Sequence, residues 1–179
     1  MNIHKILSTK ERIKILNQIL YSEKEFGVNE IAKKSNLSKG LISKYFEILV
    51  KERILKKIKQ KFSMGENSSI KAIKIMLNLI KIDPRIFKRY KFVKAVGLYG
   101  SSVKGTNTES SDIDLWIKIS KASDEKIANL TSELRKKIEK IKILILDDQK
   151  IEILNKKDPL FYNSLYFSSL IIYGKENEI

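Results

Sequence analysis

The chain has 179 residues, 42% of them hydrophobic, enough for one full domain or two small ones with real cores. No apolar run approaches the roughly eighteen residues of a membrane span, and the first residues are too polar for a signal peptide. The absence of cysteine excludes disulfides, thiolate metal sites and cysteine nucleophiles, so a cytoplasmic protein without a membrane partner is expected. The formal charge of +15 is uneven: residues 1–82 carry 18 Lys and Arg against 7 Asp and Glu, and residues 83–179 carry 18 against 14. A basic half suggests a polyanionic partner, nucleic acid first. Only 5 of the 36 basic residues are Arg, which also fits a compositional bias toward lysine, but bias does not explain its concentration in one half.

In "TKERIKILNQILYS", Ile13, Leu16, Ile19 and Leu20 recur at helical spacing, so a helix is predicted from residue 8 or 9 to 22. The residues before it, with the single histidine His4, are expected to be frayed and without a role. "VNEIAKKSN" predicts a shorter helix with Val28, Ile31 and Ala32 inward, and residues 36–38 a turn. Ser38 is an N-cap for a third helix, "KGLISKYFEILVKE", striped by Leu41, Ile42, Tyr45, Phe46 and Leu49. Short helix, tight turn and longer helix form the helix-turn-helix pattern. The third helix turns Lys39, Gly40, Ser43, Lys44 and Glu47 outward, and "ILKKIKQKFSMG" predicts a two-stranded ribbon carrying Lys56, Lys57, Lys59 and Lys61.

Residues 8–65 thus resemble the winged helix-turn-helix domains of archaeal and bacterial regulators. The resemblance implies double-stranded DNA as partner, with the third helix in the major groove. Lys39, Ser43 and Lys44 on that helix, and Lys56, Lys57 and Lys59 on the ribbon, are the expected contacts. The alternative is a three-helix domain used for dimerisation or protein contact.

"NSSIKAIKIMLNLIKI" predicts a helix at about 67–82, capped by Asn67 or Ser68 and striped by Ile70, Ile73, Met76, Leu77 and Ile80. Pro84 disfavours helix at Asp83, which can cap a new short helix, "PRIFKRY". The expected organisation is a first domain over 1–66, a linker helix over 67–82 and a second domain over 83–179. The linker's apolar positions also suit pairing with a second copy, a homodimer.

In the second domain, "FVKAVGLYG" and "DIDLWIKI" predict strands, and a Gly- and Ser-rich loop lies between them. Asp112 and Asp114 are i and i+2, so on a strand both carboxylates leave one face. They repel each other unless a cation sits between them. Mg²⁺, a hard ion usually held by one or two carboxylates and substrate phosphates, suits that place. Gly100, Ser101 and Ser102 would offer backbone N–H groups and a hydroxyl to those phosphates.

The pattern Gly100-Ser101, a short gap, Gly105, another short gap, then Ser111-Asp112-Ile113-Asp114-Leu115 resembles the signature of nucleotidyltransferases of the DNA polymerase beta superfamily, the minimal nucleotidyltransferases above all. The resemblance spans roughly residues 83–175. It implies that Asp112 and Asp114 are catalytic metal ligands, that Gly100, Ser101 and Ser111 bind nucleotide, and that Mg²⁺ and a nucleoside triphosphate such as ATP are cofactor and substrate. Minimal nucleotidyltransferases also act as antitoxins beside a HEPN-type toxin, so a protein acceptor is among the implied partners.

Family members carry a third carboxylate on a later strand. After the predicted helix "SDEKIANLTSELRKKIEKI", the strand "KILIL" has no acid at that place. Asp147 and Asp148 lie just beyond it. Glu152 would complete the site if residues 151–154 form a strand, and is a surface acid if "DQKIEILNKK" is a helix, which the spacing of Ile151 and Leu154 favours slightly. A last helix, "DPLFYNSLYFSSLIIYG", is expected to begin at Asp158-Pro159 and to pack Phe161, Tyr162, Leu165, Phe167 and Leu170 in the core.

The expected fold class is α+β, an N-terminal winged helix domain plus a small mixed-sheet nucleotidyltransferase-like domain. Two functions follow. One is an enzyme that transfers a nucleoside monophosphate from a triphosphate to a macromolecular hydroxyl. The other is a DNA-binding regulator whose second domain only binds nucleotide or is vestigial.

Overall fold

The computed structural model describes residues 1–175. The first unit comprises Met1–Lys74 and Thr108–Ser110, and the second Ile75–Asn107 and the residues from Ser111 onward.

The first unit begins with helices α1 (Ile3–Leu7), α2 (Lys10–Ile19), α3 (Val28–Ser35) and α4 (Lys39–Lys51). Local chemistry sets their starts. The Thr9 and Ser38 hydroxyls accept the amides of Arg12 at 3.2 Å and Leu41 at 3.3 Å. Asn36, left-handed at φ 53°, turns the chain from α3 toward α4. The hairpin of β1 (Leu55–Ile58) and β2 (Lys61–Met64) follows, antiparallel, and Phe62 also bridges to Phe26. The Phe46 ring packs edge-on against Phe26 at 5.7 Å and Phe62 at 4.8 Å, which ties α4 to the hairpin.

Three expectations fail here. Residues 3–7 are helical rather than frayed: Ile6 is fully buried, and its carbonyl accepts the Tyr45 hydroxyl at 2.8 Å. Leu41 is exposed, although Ile42, Tyr45, Phe46 and Leu49 of the same stripe are buried. Val28 is half-buried, and only Ile31 and Ala32 of its set reach the core.

Helix α5 (Ser68–Ile80) contributes to both units and is capped by Asn67, whose side chain accepts the Ile70 amide at 3.0 Å. Its Ile70, Ile73 and Leu77 are buried, but Ile80 is 71% exposed, at the end of the stripe rather than in it.

The second unit is built on a four-stranded sheet: β3 (Val93–Tyr99), β4 (Ile113–Ile119), β5 (Ile141–Leu146) and β6 (Leu170–Tyr173), in the order β5-β4-β3-β6. Strands β4 and β5 are parallel, and the other pairs are antiparallel. The short helices α6 (Arg85–Lys88) and α7 (Ser101–Lys104) flank β3, α8 (Asp124–Lys137) carries the crossover from β4 to β5, and α9 (Asp148–Lys157) and α10 (Pro159–Ser168) lead to β6. One sheet face buries Val96, Leu98, Leu115 and Ile117 with Phe87, Leu130 and Leu134. The other buries Ala95, Trp116 and Leu146 with Leu165, and Ile151, Leu154 and Phe161 pack partly buried against them.

The last helix is shorter than its apolar run. It stops at Ser168, and Leu170–Tyr173 pair with β3, whose Gly97 and Leu98 face Ile171 and Leu170. Of the side chains expected in the core there, Leu165 is buried, Phe161 and Tyr162 are half-buried, and Phe167 is 78% exposed. Leu170, on the edge strand, is exposed as well.

Candidate active site

On β4 the side chains of Asp114, Trp116 and Lys118 share one face, since alternate residues of a strand do. Exposure changes along that row. Trp116 is fully buried, Lys118 nearly so, and Asp114 is half-buried at the strand's start. The Trp116 indole stands over Gly97, where a Cβ would come within 2.4 Å of the ring, and its Nε1 donates to Ser169 Oγ at 2.8 Å. The Lys118 ammonium donates to Asp148 at the start of α9. Packing and the Lys118–Asp148 ion pair therefore occupy one end of this face, and Asp114 the other.

At the carboxylate end, Tyr99 of β3 faces Asp114 across the antiparallel register, and Lys142 of β5 faces it across the parallel one. The next residue after Tyr99, Gly100, has φ 71° and ψ −144°. A side chain is unfavourable in that conformation, and a Cβ there would lie 2.6 Å from Asp114 Oδ2. Glycine thus gives the carboxylate its room. Helix α7 begins at Ser101, and Gly105 ends it in the left-handed region at φ 63°, its N–H returned to the Ser101 carbonyl.

Asp112 precedes β4, and its Oδ2 accepts the Lys142 ammonium at 2.6 Å. That hydrogen bond raises Lys142 above the ordinary lysine range. Burial raises the Asp114 carboxyl; the Lys142 charge opposes this and Asp112 adds to it. The Tyr99 hydroxyl is raised by burial and by Asp114.

Among the sequence-predicted residues, Gly100, Asp112 and Asp114 meet at this end, and Ser101 and Ser111 are half-buried beside them in the chain. The Ser102 hydroxyl is buried, which leaves Ser101 as the hydroxyl of the pair near the surface. Glu152 lies on α9 and is exposed, the helical alternative of the two. Among the described residues, no His, Cys, Asp or Glu joins Asp112 and Asp114 as a third metal ligand. The donor set is two carboxylates on one face, with glycine-made room at Asp114 Oδ2. That fits one hard divalent cation sharing its remaining positions with phosphate oxygens.

Sequence reasoning missed two contributors. Asn78, fully buried on α5, donates to the Ser102 carbonyl at 2.9 Å and exchanges hydrogen bonds with Asn107 at 3.0 and 3.2 Å, which fixes both ends of the loop after Gly100. Its signal is a lone amide inside the apolar run "IMLNLI". Lys142 is the other; its signal is a lysine at the strand position where an acid is sought.

In the first unit, Lys39 and Lys44 are exposed on α4 and Ser43 is half-buried, while Lys56, Lys57 and Lys59 are exposed on the hairpin. Among the described residues no helix is long and apolar enough to cross a membrane.

The family model described as Polymerase beta, Nucleotidyltransferase matches residues 81–178. The match covers more than half of the chain, and the chain belongs to that family. Two solved structures are similar to parts of it. One is a mutant of the toxin–antitoxin MntA–HpeT, 12% identical over 51% of this chain and 69% of that one, with a TM-score of 0.37. The other is a protein from Sulfolobus solfataricus solved as a candidate nucleotidyltransferase, 15% identical over 64% of this chain and 95% of that one, with a TM-score of 0.38. No curated protein matches the sequence.

Proposed function

We propose that the second unit binds a nucleoside triphosphate, ATP first, through a divalent cation held by Asp112 and Asp114, and transfers its nucleoside monophosphate to a macromolecular hydroxyl. The observation that carries this reading is the meeting of Gly100, Asp112 and Asp114 at one end of the sheet, in a chain of the polymerase beta nucleotidyltransferase family. In the reaction the acceptor hydroxyl gives its proton to solvent and its oxygen forms a bond to the α-phosphorus, the bond from that phosphorus to the α–β bridging oxygen breaks, and pyrophosphate leaves. The cation, when bound, offsets charge on the phosphate oxygens. Asp112 and Asp114 orient it from the strand start. Gly100 lets the phosphates approach the backbone, and the Ser101 and Ser111 hydroxyls donate to phosphate oxygens. Buried Asn78 keeps the loop in place.

The first unit is proposed to be a winged helix-turn-helix domain that binds double-stranded DNA, with Lys39, Ser43 and Lys44 at base edges and Lys56, Lys57 and Lys59 at phosphates. A second reading, a DNA-binding regulator that binds nucleotide without transferring it, is favoured by one observation: Lys142 stands where a third carboxylate would take the acceptor's proton.

One experiment separates the two. The protein is incubated with α-labelled triphosphate, Mg²⁺ and cell extract. Label on a macromolecule, absent with Asp112→Asn, supports transfer. Divalent-dependent binding without label transfer supports the regulator. Equal binding with chelator present removes the cation held by Asp112 and Asp114, and the transfer reading with it.

A further inference from the structure

Lys142 is more than a missing acid. The parallel register sets it opposite Asp114, so its side chain leaves the face that Asp112 and Asp114 share. Its Nζ lies 2.6 Å from Asp112 Oδ2. Two-metal phosphoryl-transfer sites hold their ions roughly 4 Å apart and clamp both the attacking and the leaving oxygen. Such a pair of dications needs shared negative charge. Here two carboxylates and one ammonium leave a single net negative charge, where three carboxylates would leave three. An ammonium also already sits on a carboxylate oxygen that a second ion would need.

We propose that Lys142 serves as the second cation of this site, taking the place of one metal ion and restricting the triphosphate complex to a single divalent ion. The proposal rests on the triphosphate reading above. A lysine suits the part: it is a compact point charge with three donors on a flexible stem. Its side chain is 68% exposed, so it can swing from Asp112 toward a phosphate oxygen when the triphosphate enters. The site then has a covalently tethered charge where two-metal sites recruit an ion, and it lacks a carboxylate to take the acceptor's proton.

The test counts Mn²⁺ ions bound per complex by electron paramagnetic resonance, on the full chain with a non-hydrolysable triphosphate analogue. Wild type should hold one ion and Lys142→Glu two, with Trp116 fluorescence confirming that the variant is folded. Without nucleotide, Lys142→Met should bind Mn²⁺ about three- to ten-fold more tightly, because a like charge beside an exposed site has been removed. Two ions on wild type overturn the proposal and leave the triphosphate reading intact. A folded Lys142→Glu that still holds one ion overturns it equally. If Lys142→Glu does not fold, Lys142→Met decides, and an unchanged Mn²⁺ affinity is the refuting result. If wild type binds no Mn²⁺, or Asp112→Asn binds it as well as wild type does, the triphosphate reading itself falls.

Discussion

Replacing Gly100 with alanine should damage the fold and the candidate site by separable amounts. At φ 71° and ψ −144° the backbone is in a region that residues with a Cβ rarely enter; such strain costs about 1–3 kcal/mol. In a unit of about a hundred residues each kcal/mol moves the midpoint by roughly 4–8 °C, so Gly100→Ala should melt about 5–20 °C lower. The new Cβ would also lie 2.6 Å from Asp114 Oδ2, and the carboxylate has to turn away. Divalent-dependent triphosphate binding should then fall sharply even at temperatures where the variant is fully folded. The chain's one tryptophan, Trp116, is fully buried in the second unit, so its fluorescence follows melting there without signal from the first. Titration calorimetry reads the triphosphate. A Gly100→Ala protein that melts like wild type and binds triphosphate as tightly would refute the reasoning on both counts.

Four further outcomes are expected. Asn78→Leu fills the same space but strips partners from the Ser102 carbonyl and the Asn107 amide, so unfolding by urea should show a loss of about 1–3 kcal/mol. Glu133, bonded to Lys137, Tyr90 and Arg89, titrates at about 2 in the folded chain against an ordinary 4.5. It stabilises the fold above pH 4.5, and that contribution is lost as pH falls toward 2. Glu133→Gln should therefore be less stable than wild type at pH 7 by about 1 kcal/mol, the screened value for a surface cluster, and the two should converge in melts near pH 2. Glu152→Gln, on the exposed side of α9, should change neither transfer nor stability by more than about 0.5 kcal/mol. Changing Lys56, Lys57 and Lys59 together to alanine should flatten the salt dependence of duplex binding, by about 0.9 in log–log slope for each phosphate that is no longer neutralised, as measured by fluorescence anisotropy.

Elements with strong local signals form where the sequence puts them. Ser38 starts α4, the aspartate-bearing strand follows the Gly- and Ser-rich loop, and α9 spans the stretch whose Ile151 and Leu154 suit a helix. The stretches that differ depend on distant partners. Five residues span less than two turns, too few to show a repeating helical period, so α1 is legible only once Tyr45 reaches the Ile6 carbonyl. The run "LIIY" continues the apolar character of α10, and only pairing with β3 makes it a strand. In the sequence Lys142 shows only as the absence of an acid; the parallel register that sets it opposite Asp114 is a non-local fact.

Gly97 within β3 and Gly100 just after it tie the spacing of the motif to the packing of β4. Gly97 and Gly100 are three residues apart, and each clears space for a residue of β4: Gly97 for the Trp116 ring, Gly100 for the Asp114 carboxylate. Trp116 and Asp114 are i+2 and i on one face of β4. A one-residue slip in the pairing of β3 with β4 would turn both to the opposite face, which is apolar throughout. Burying that indole beside Gly97 therefore fixes the register that brings Asp114 to Gly100. Gly97→Ala should destabilise the second unit by overpacking, typically by about 1–3 kcal/mol, through a clash with Trp116 and none with the carboxylates. Trp116→Leu, whose side chain ends before the three clashing ring atoms, should make Gly97→Ala cost less in the double variant than it does alone, whereas it should do nothing for Gly100→Ala. Rescue of Gly100→Ala by the same change would mean that the two glycines serve one packing arrangement and that the carboxylate has no space of its own.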